Sequence, residues 1–173
     1  MPSIERRARA PVGSTLAGSM STRSEAAKGI EEIEVFRRFI TRSGSRIDPQ
    51  SVEKRAPPEP DLLCRHPTGG SVAFELANLC DPELMKVVAA GANARTDAFS
   101  TADPSARIVR NKLSRTYNTA HPVELLVYAD GPIITPDDVI IPTIRPIFES
   151  VEGPYRRAWF MGEHCTCLIW QAS

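Results

Sequence analysis

The sequence predicts a protein of the α/β class (α+β by stricter naming), with a mixed central sheet flanked by helices. Helix-like and strand-like segments follow one another along the 173 residues in the order α β β α α β α β β. The segment Val123–Tyr128 is almost continuously apolar, which is typical of a buried central strand. The composition, 42% hydrophobic and 24% charged, is that of an ordinary globular protein whose length suffices for one core.

The N-terminal segment predicts a tail followed by a helix. Residues 1–23 contain Arg, Ser, Gly and Ala without an apolar period, which predicts a disordered tail and leaves residues 24–173 as a single domain. The alternative for the tail is a nucleic-acid-binding arm. That arm would use Arg6, Arg7 and Arg9. Ser24 is the predicted N-cap of the first helix.

This first helix carries an acid within its apolar face. The predicted stripe contains Ile30, Ile33, Val35, Phe36, Phe39 and Ile40. At about 100° per residue, Glu32 falls inside the stripe, whereas Glu31 and Glu34 fall towards its edge. A buried carboxylate is costly unless another group pairs with it. Glu32 is therefore a candidate functional residue.

A predicted hairpin contains two further acids. Residues 41–60 are rich in breakers and are predicted to be a loop. Strands Asp61–His66 and Ser71–Leu79 follow, joined by a Pro-Thr-Gly-Gly turn. Because strand residues alternate between faces, Glu75 shares its face with two small alanines and lies opposite a large apolar set. Those neighbours are Ala73 and Ala77 on one face and Val72, Phe74 and Leu76 on the other.

The second half of the chain predicts three more helices, a central strand and a final hairpin. In order, these are a short helix from Asp81, a mobile loop at residues 91–101, a helix from Asp103 to Asn118, the strand Val123–Tyr128, a helix from Thr135, and the strands Arg156–Met161 and Cys165–Gln171. We expect Pro142 and Pro146 to break or bend the last helix.

Bulk properties exclude several classes of function. The net charge is zero, so the chain lacks the overall basic charge that by itself suggests nucleic acid. No apolar run approaches a membrane span, and the first twenty residues lack the apolar region of a signal peptide. The four cysteines do not form the pattern of a secreted disulfide framework. These features predict a cytoplasmic protein with reduced thiols and no membrane partner. P-loop, G-x-G-x-x-G, H-E-x-x-H and G-x-S-x-G motifs are absent from the sequence.

Asp61 and Glu75 together predict a site for a hard divalent cation. Acids on neighbouring strands supply the oxygen ligands that Mg²⁺ and Mn²⁺ prefer. Such an ion activates water and stabilises a phosphodiester transition state. Two simpler interpretations stay open. Asp61 would cap a turn after Pro60, and Glu75 would form a salt bridge on a solvent-facing strand side.

The order of these elements resembles the PD-(D/E)xK nuclease-like superfamily. The matching pieces are the helix with an inward Glu, Pro60-Asp61, Glu75-Leu76-Ala77, the helix 108–117 and the strand Val123–Tyr128, over residues 29–130. The resemblance implies a restriction-endonuclease-like αββαβ core, to which we expect the C-terminal hairpin to be appended. It also implies metal-dependent hydrolysis of DNA or RNA, with Glu75 and Asp61 holding Mg²⁺ or Mn²⁺ and Glu32 supporting the metal or its waters. Dimers are common in this superfamily, so a homodimer is one of the implied assemblies.

The chain departs from the pattern of this superfamily at one residue. Active members carry Lys two residues after the second acid, and Ala77 stands there in this chain. In one interpretation the cation has moved to the following helix, to Lys112 first and Arg115 second, with substrate phosphates meeting that helix. The phosphate contacts would be Arg107, Arg110 and Arg115. In the other interpretation catalysis has been lost, and the protein is a binding or interaction module. A separate alternative for Lys112 is that it is only a solvated helix residue.

Cysteine and histidine residues suggest a different metal. Alternation puts Cys64 with His66 on one strand face and Cys165 with Cys167 on another. Together they would offer Zn²⁺ four ligands. Buried cysteines in strands are the alternative, and the C-x-H and C-x-C spacings differ from the C-x₂-C spacing of strong zinc motifs.

Overall fold

The computed structural model of the chain describes residues 16–80, 103–130 and 135–173. The described elements are helices α1 (Leu16–Ser43), α2 (Ser105–Leu113) and α3 (Asp137–Ser150), a 3₁₀ turn (Pro49–Ser51), and strands β1 (Glu53–Lys54), β2 (Leu62–Arg65), β3 (Ser71–Asn78), β4 (Val123–Tyr128), β5 (Tyr155–Met161) and β6 (Thr166–Gln171). The predicted helix at Asp81, the predicted loop at residues 91–101 and residues 1–15 of the predicted tail lie outside the described residues.

The six strands form one mixed sheet in the order β1-β2-β3-β4-β5-β6. Strands β1, β2 and β3 pair antiparallel, β3, β4 and β5 pair parallel, and β5 and β6 form an antiparallel hairpin. Helices α2 and α3 occur in the two connections between parallel strands, which cannot be made by tight turns. The predicted class, a mixed sheet flanked by helices, is confirmed. The C-terminal hairpin continues the central sheet and is not appended to it.

Helix α1 covers one face of the sheet through an aromatic cluster, which we call the α1 core. The rings of Phe36 and Phe39 pack on Phe74 of β3, with centroid distances of 4.7 and 5.9 Å. All three side chains are almost fully buried. They belong to a cluster that also contains Leu62, Val72, Leu76, Leu126 and Tyr128 from the sheet. The apolar residues that recur with the helical period in α1 therefore pack on the apolar residues that alternate along the strands.

Helices α2 and α3 cover the opposite face and form the α2–α3 core. Val109 and Leu113 of α2 and Ile140 and Ile144 of α3 pack with Leu125 of β4. Helix α3 runs without interruption through Pro142 and Pro146. The expected break does not occur, because burial of four apolar side chains of α3 against the sheet outweighs the lost backbone hydrogen bonds.

Two predictions about α1 are corrected. The helix begins at Leu16 and not at Ser24, because a helix anchored by packing of its C-terminal half extends readily in the N-terminal direction. Ile30 lies on the exposed side, with 62% of its surface accessible, although it was expected in the apolar stripe. Glu32 is buried, whereas Glu31 and Glu34 are not, as the helical projection predicted.

The turn between β5 and β6 is tied to the start of α3. The Asp137 carboxylate accepts hydrogen bonds from the backbone N–H groups of Glu163, His164 and Cys165. Burial opposes the charged form, but these three donors outweigh it and lower the pKa of Asp137. A side chain at Gly162 would collide with the same carboxylate. This contact fixes Cys165 beside α3.

None of the helices in the described part of the chain combines the length and apolar character needed to cross a membrane.

The α1 core predicts a large effect of truncating Phe74. We expect Phe74→Ala to lower the free energy of unfolding by about 3–5 kcal/mol, because it leaves a cavity beneath two aromatic rings. The control is Ile30→Ala on the same layer but at an exposed residue, where we expect a change within about 0.5 kcal/mol. Urea denaturation followed by circular dichroism measures both. Equal effects of the two substitutions would contradict the packing described.

Candidate functional site

Glu75 is a buried carboxylate in the middle of the sheet. It lies on β3 opposite Leu125 of β4, and only 2% of its surface is accessible. Its neighbours on the same strand face, Ala73 and Ala77, are equally buried and belong to the α2–α3 core. The predicted face of Glu75 is therefore the one covered by α2, and the alternative of a solvent-facing strand side does not apply.

Two cations from α2 and the residues after it neutralise Glu75. Lys112 Nζ lies 2.5 Å from Glu75 Oε1, and Arg115 Nη1 lies 3.1 Å from the same oxygen. The Lys112 side chain is 15% exposed and the Arg115 side chain 56% exposed. Lys112 is thus not a solvated helix residue. One negative and two positive charges leave the group, which we call the Glu75 cluster, with an excess of one positive charge.

Two tyrosines hold the end of α2 beside this cluster. Tyr155 donates a hydrogen bond to the backbone oxygen of Lys112 at 3.0 Å, and its hydroxyl lies 2.8 Å from that of Tyr117. Burial raises the pKa of both phenols, so both stay neutral in the physiological range. Tyr155 was not predicted as a site neighbour, because its proximity to α2 depends on the docking of β5 and leaves no local signal.

Glu32, on the α1 side of the sheet, and Asp61, directly before β2, belong to a second group, which we call the Lys54 cluster. Lys54 Nζ contacts Glu32 Oε2 and lies 3.2 Å from Asp61 Oδ1. Lys28 Nζ is 3.7 Å from Glu32 Oε1. Burial alone would lower the pKa of Lys54, but the hydrogen bonds and negative charges of the two acids outweigh it and raise the pKa.

The sequence interpretation missed Lys54. Residues 41–60 were predicted to be a loop, but they contain a 3₁₀ turn and the short strand β1. Lys54 pairs with Leu62 in the β1–β2 register and therefore shares the face of Leu62, towards α1. A lysine in a two-residue edge strand has no recognisable sequence pattern.

Asp61 connects the two clusters through the backbone. Its Oδ2 accepts a hydrogen bond of 2.9 Å from the backbone N–H of Leu76, the residue after Glu75. Of the four predicted residues, Asp61 and Glu75 are therefore neighbours across β2 and β3, whereas the two helical residues have different partners. Lys112 pairs with Glu75, and Glu32 pairs with Lys54. Within residues 16–80, 103–130 and 135–173, no group of three or more His, Cys, Asp or Glu residues is arranged to hold a metal ion.

The arginines predicted to contact nucleic acid separate into two kinds. Arg107 and Arg110 are exposed on α2. Arg115, in contrast, is engaged with Glu75. Ala77, two residues after Glu75, is 1% exposed within the α2–α3 core.

The sheet order separates the four residues of the zinc hypothesis. Cys64 lies on β2 and Cys167 on β6, with three strands between them, a separation of about 19 Å. Cys64 is part of the α1 core, whereas Cys165 and Cys167 pack against the α2–α3 core on the opposite face. His66 follows β2 and its ring contacts Thr68. The four side chains do not meet in one site.

A third buried acid was also missed. Glu124 interrupts the apolar strand β4 and is 3% exposed. Its carboxylate accepts hydrogen bonds from Arg156 Nε at 2.9 Å and from Trp159 Nε1 at 2.7 Å. The signal in the sequence was the acid itself inside Val-Glu-Leu-Leu-Val-Tyr, because a central strand tolerates a carboxylate only where partners neutralise it.

Comparison with protein-family models, with curated proteins and with solved structures finds no match to the chain.

Neutralisation of Glu75 by Lys112 predicts a stability effect. We expect Lys112→Met to lower the free energy of unfolding by about 3 kcal/mol, because it leaves a buried carboxylate with only the half-exposed Arg115 as partner. The matched control is Arg110→Met, an exposed cation of the same helix, with a change within about 0.5 kcal/mol. In the double variant Glu75→Gln/Lys112→Met, most of the loss should be recovered. Additive effects of the two changes would show that the pair is not coupled.

Burial of Cys64 predicts an unreactive thiol. Its Sγ donates a hydrogen bond to the backbone oxygen of Val72, and burial, with the charge of Glu124, raises its pKa to about 12. Because the thiolate is the reactive form, we expect iodoacetamide at pH 8 to leave Cys64 unmodified in the folded protein and to modify it in urea. Peptide mass mapping reads out the label. Equal labelling in both states would contradict the burial of this strand.

Proposed function

We propose that the protein is a divalent-metal-dependent phosphodiesterase that acts on DNA or RNA. The observation that carries the proposal is the contact between Lys112 and the buried Glu75. In the resembled superfamily a lysine accompanies the second acid, and Ala77 cannot fill that role. Lys112 brings an ammonium to the same carboxylate from the neighbouring helix. The order α1, β2, β3, α2 and β4 is consistent with a restriction-endonuclease-like core, which is part of the proposal.

Three basic side chains have different roles in the proposed reaction. The Lys112 ammonium orients the attacking water and offsets the negative charge that develops on the phosphoryl oxygens. Arg115, being more exposed, is free to exchange its contact with Glu75 for a phosphate oxygen. Lys54 pairs with both Glu32 and Asp61 and holds the two acids in their orientation.

The two carboxylates of the proposed site match the ligand preference of a hard cation. Asp61 and Glu75 offer carboxylate oxygens, and Mg²⁺ commonly uses one or two carboxylates together with water and substrate phosphates. Such a cation lowers the pKa of a water molecule and stabilises charge on the phosphoryl group when bound. Glu75 would have to share its carboxylate between the metal ion and two basic side chains, Lys112 and Arg115. The proposal therefore requires that one carboxylate oxygen of Glu75 be able to bind the metal ion.

Exposed arginines supply the contact with nucleic acid. Arg107 and Arg110 lie on α2, the same helix that carries Lys112, and both are exposed. Phosphate contacts of this kind orient a nucleic acid without reading its sequence. A chain with zero net charge needs such a local concentration of basic side chains to attract the backbone.

A cleavage assay tests the proposal. We expect the wild-type protein to cut plasmid DNA, single-stranded DNA or RNA in Mg²⁺ or Mn²⁺ and not in EDTA. Asp61→Asn, Glu75→Gln and Lys112→Met should each lower the cleavage rate at least about 100-fold. The control is Asp138→Asn, an exposed acid of α3, which should cut at the wild-type rate. All variants are compared at a temperature where circular dichroism shows them folded.

A second candidate is a catalytically inactive protein of the same core that serves as a binding or interaction module. The observation that favours it is the neutralisation of Glu75 by two cations together with its near-complete burial, which satisfies this acid without any metal. The same assay separates the candidates. Absence of cutting by the wild-type protein with every substrate and in either metal would reject the phosphodiesterase and favour the inactive module.

A further inference from the structure

A cleft of about 620 Å³ opens on the α1 face of the sheet, where the three parallel strands begin. It lies between the loop after α1, the β2–β3 turn and the first residues of β5. Pockets of this size are typical for small organic ligands and cofactors. The cleft is separate from the Glu75 cluster, which lies on the other face and about 13 Å further along β3 from Ser71.

The floor of the cleft is aromatic. Phe39 and Trp159 both line it, and their rings meet edge to face at a centroid distance of 5.4 Å. Trp159 is only partly buried. A partly buried indole that packs edge to face on a second ring provides a rigid surface for a flat aromatic group.

The rim of the cleft is basic. Arg46, Arg156 and Arg157 line it together with a single acid, Glu124, so the lining has an excess of two positive charges when His66 is neutral. Arg156 and Arg157 both approach Glu124, at 2.9 and 3.7 Å. Arg46 forms no ion pair with the described residues and is exposed. An anionic group in this cleft would therefore meet at least one arginine, Arg46, that need not break an existing ion pair in order to bind it.

Glu124 contacts both an aromatic and a basic side chain of the cleft and fixes their relative positions. One of its oxygens accepts a hydrogen bond from Arg156 and the other from the Trp159 indole N–H. This acid is buried in a strand where an apolar residue would pack more easily, and its contacts orient the two side chains that line the cleft. Such an arrangement pre-organises the site and reduces the entropy lost when a ligand binds.

The remaining wall offers hydrogen bonds and open backbone. Ser45 Oγ is buried at the cleft and has no hydrogen-bond partner among the described residues. Gly69 and Gly70 have positive φ angles of 89° and 91°, and a side chain at either would meet no atom within 4 Å. This part of the β2–β3 turn therefore leaves its backbone accessible from the cleft.

We propose that this cleft binds a nucleotide unit, with the base against Trp159 and the phosphate between Arg46 and the Arg156–Arg157 pair. Base-on-aromatic stacking and arginine–phosphate contacts are the two interactions that the lining offers, and a nucleotide combines both partners in one ligand. The unit is either a free mononucleotide or one residue of a single strand. Its binding needs no metal and no catalytic step, so it stands or falls separately from the proposed phosphodiesterase.

Fluorescence of Trp159 tests the assignment. The chain has two tryptophans, so a Trp170→Phe background leaves Trp159 as the single reporter. With EDTA present, we expect adenosine monophosphate to quench this fluorescence, with a Kd at least about tenfold below those of adenosine and of inorganic phosphate alone. A titration with a single-stranded oligodeoxyadenylate decides whether the bound nucleotide is a free mononucleotide or one residue of a strand. Tighter binding of the strand assigns the site to nucleic acid, and weaker binding assigns it to a mononucleotide.

The matched variants are Arg46→Gln and Arg145→Gln. Arg46 lines the cleft, and Arg145 is an exposed arginine of α3 on the opposite layer. We expect Arg46→Gln to raise the Kd about tenfold and Arg145→Gln to leave it unchanged. The proposal is overturned if neither the mononucleotide nor the strand quenches Trp159, if phosphate alone binds as tightly as the nucleotide, or if the two arginine variants behave alike.

Discussion

The burial of Glu75 against the cations of α2 is the constraint on which the arrangement of the candidate site depends. A carboxylate with 2% exposure in a central strand is tolerated only where its charge is compensated. Lys112 and Arg115 compensate it at 2.5 and 3.1 Å, and this requirement fixes how the end of α2 docks on the sheet. Tyr155 then ties the backbone of α2 to β5. Polar contacts to β3 and β5 thus add to the apolar packing that holds the end of α2 on the sheet.

The same rule operates at two further acids, on the other face of the sheet. Glu32 is paired with Lys54, and Glu124 with Arg156 and Trp159. All three carboxylates are buried, and each is held by groups from a different element of the fold. Buried ion pairs contribute little net stability, because desolvation of the charges offsets their attraction. A packing that left any of these acids unpaired would nevertheless be strongly disfavoured, because it would leave a buried charge without compensation.

The two faces of the sheet therefore offer different chemistry. The α2–α3 face carries one acid and two cations in close contact, which supports the proposal of charge stabilisation at a phosphoryl group. The α1 face carries, at the start of the parallel strands, a cleft with Trp159 on its floor and arginines on its rim. Both surfaces have an excess of positive charge, although the net charge of the chain is zero. The charges of this chain are therefore unevenly distributed, and their sum does not describe either surface.

The sequence by itself determined the class of the fold and the face on which many residues lie. Alternation along β3 put Glu75 with the alanines, and the helical period put Glu32 inside α1, because backbone geometry fixes these relations within one element. Only the tertiary structure decided the partners. Lys54 meets Glu32, and Cys64 lies far from Cys167, because strand order and helix docking depend on contacts between segments distant along the chain. Local patterns do not encode those contacts.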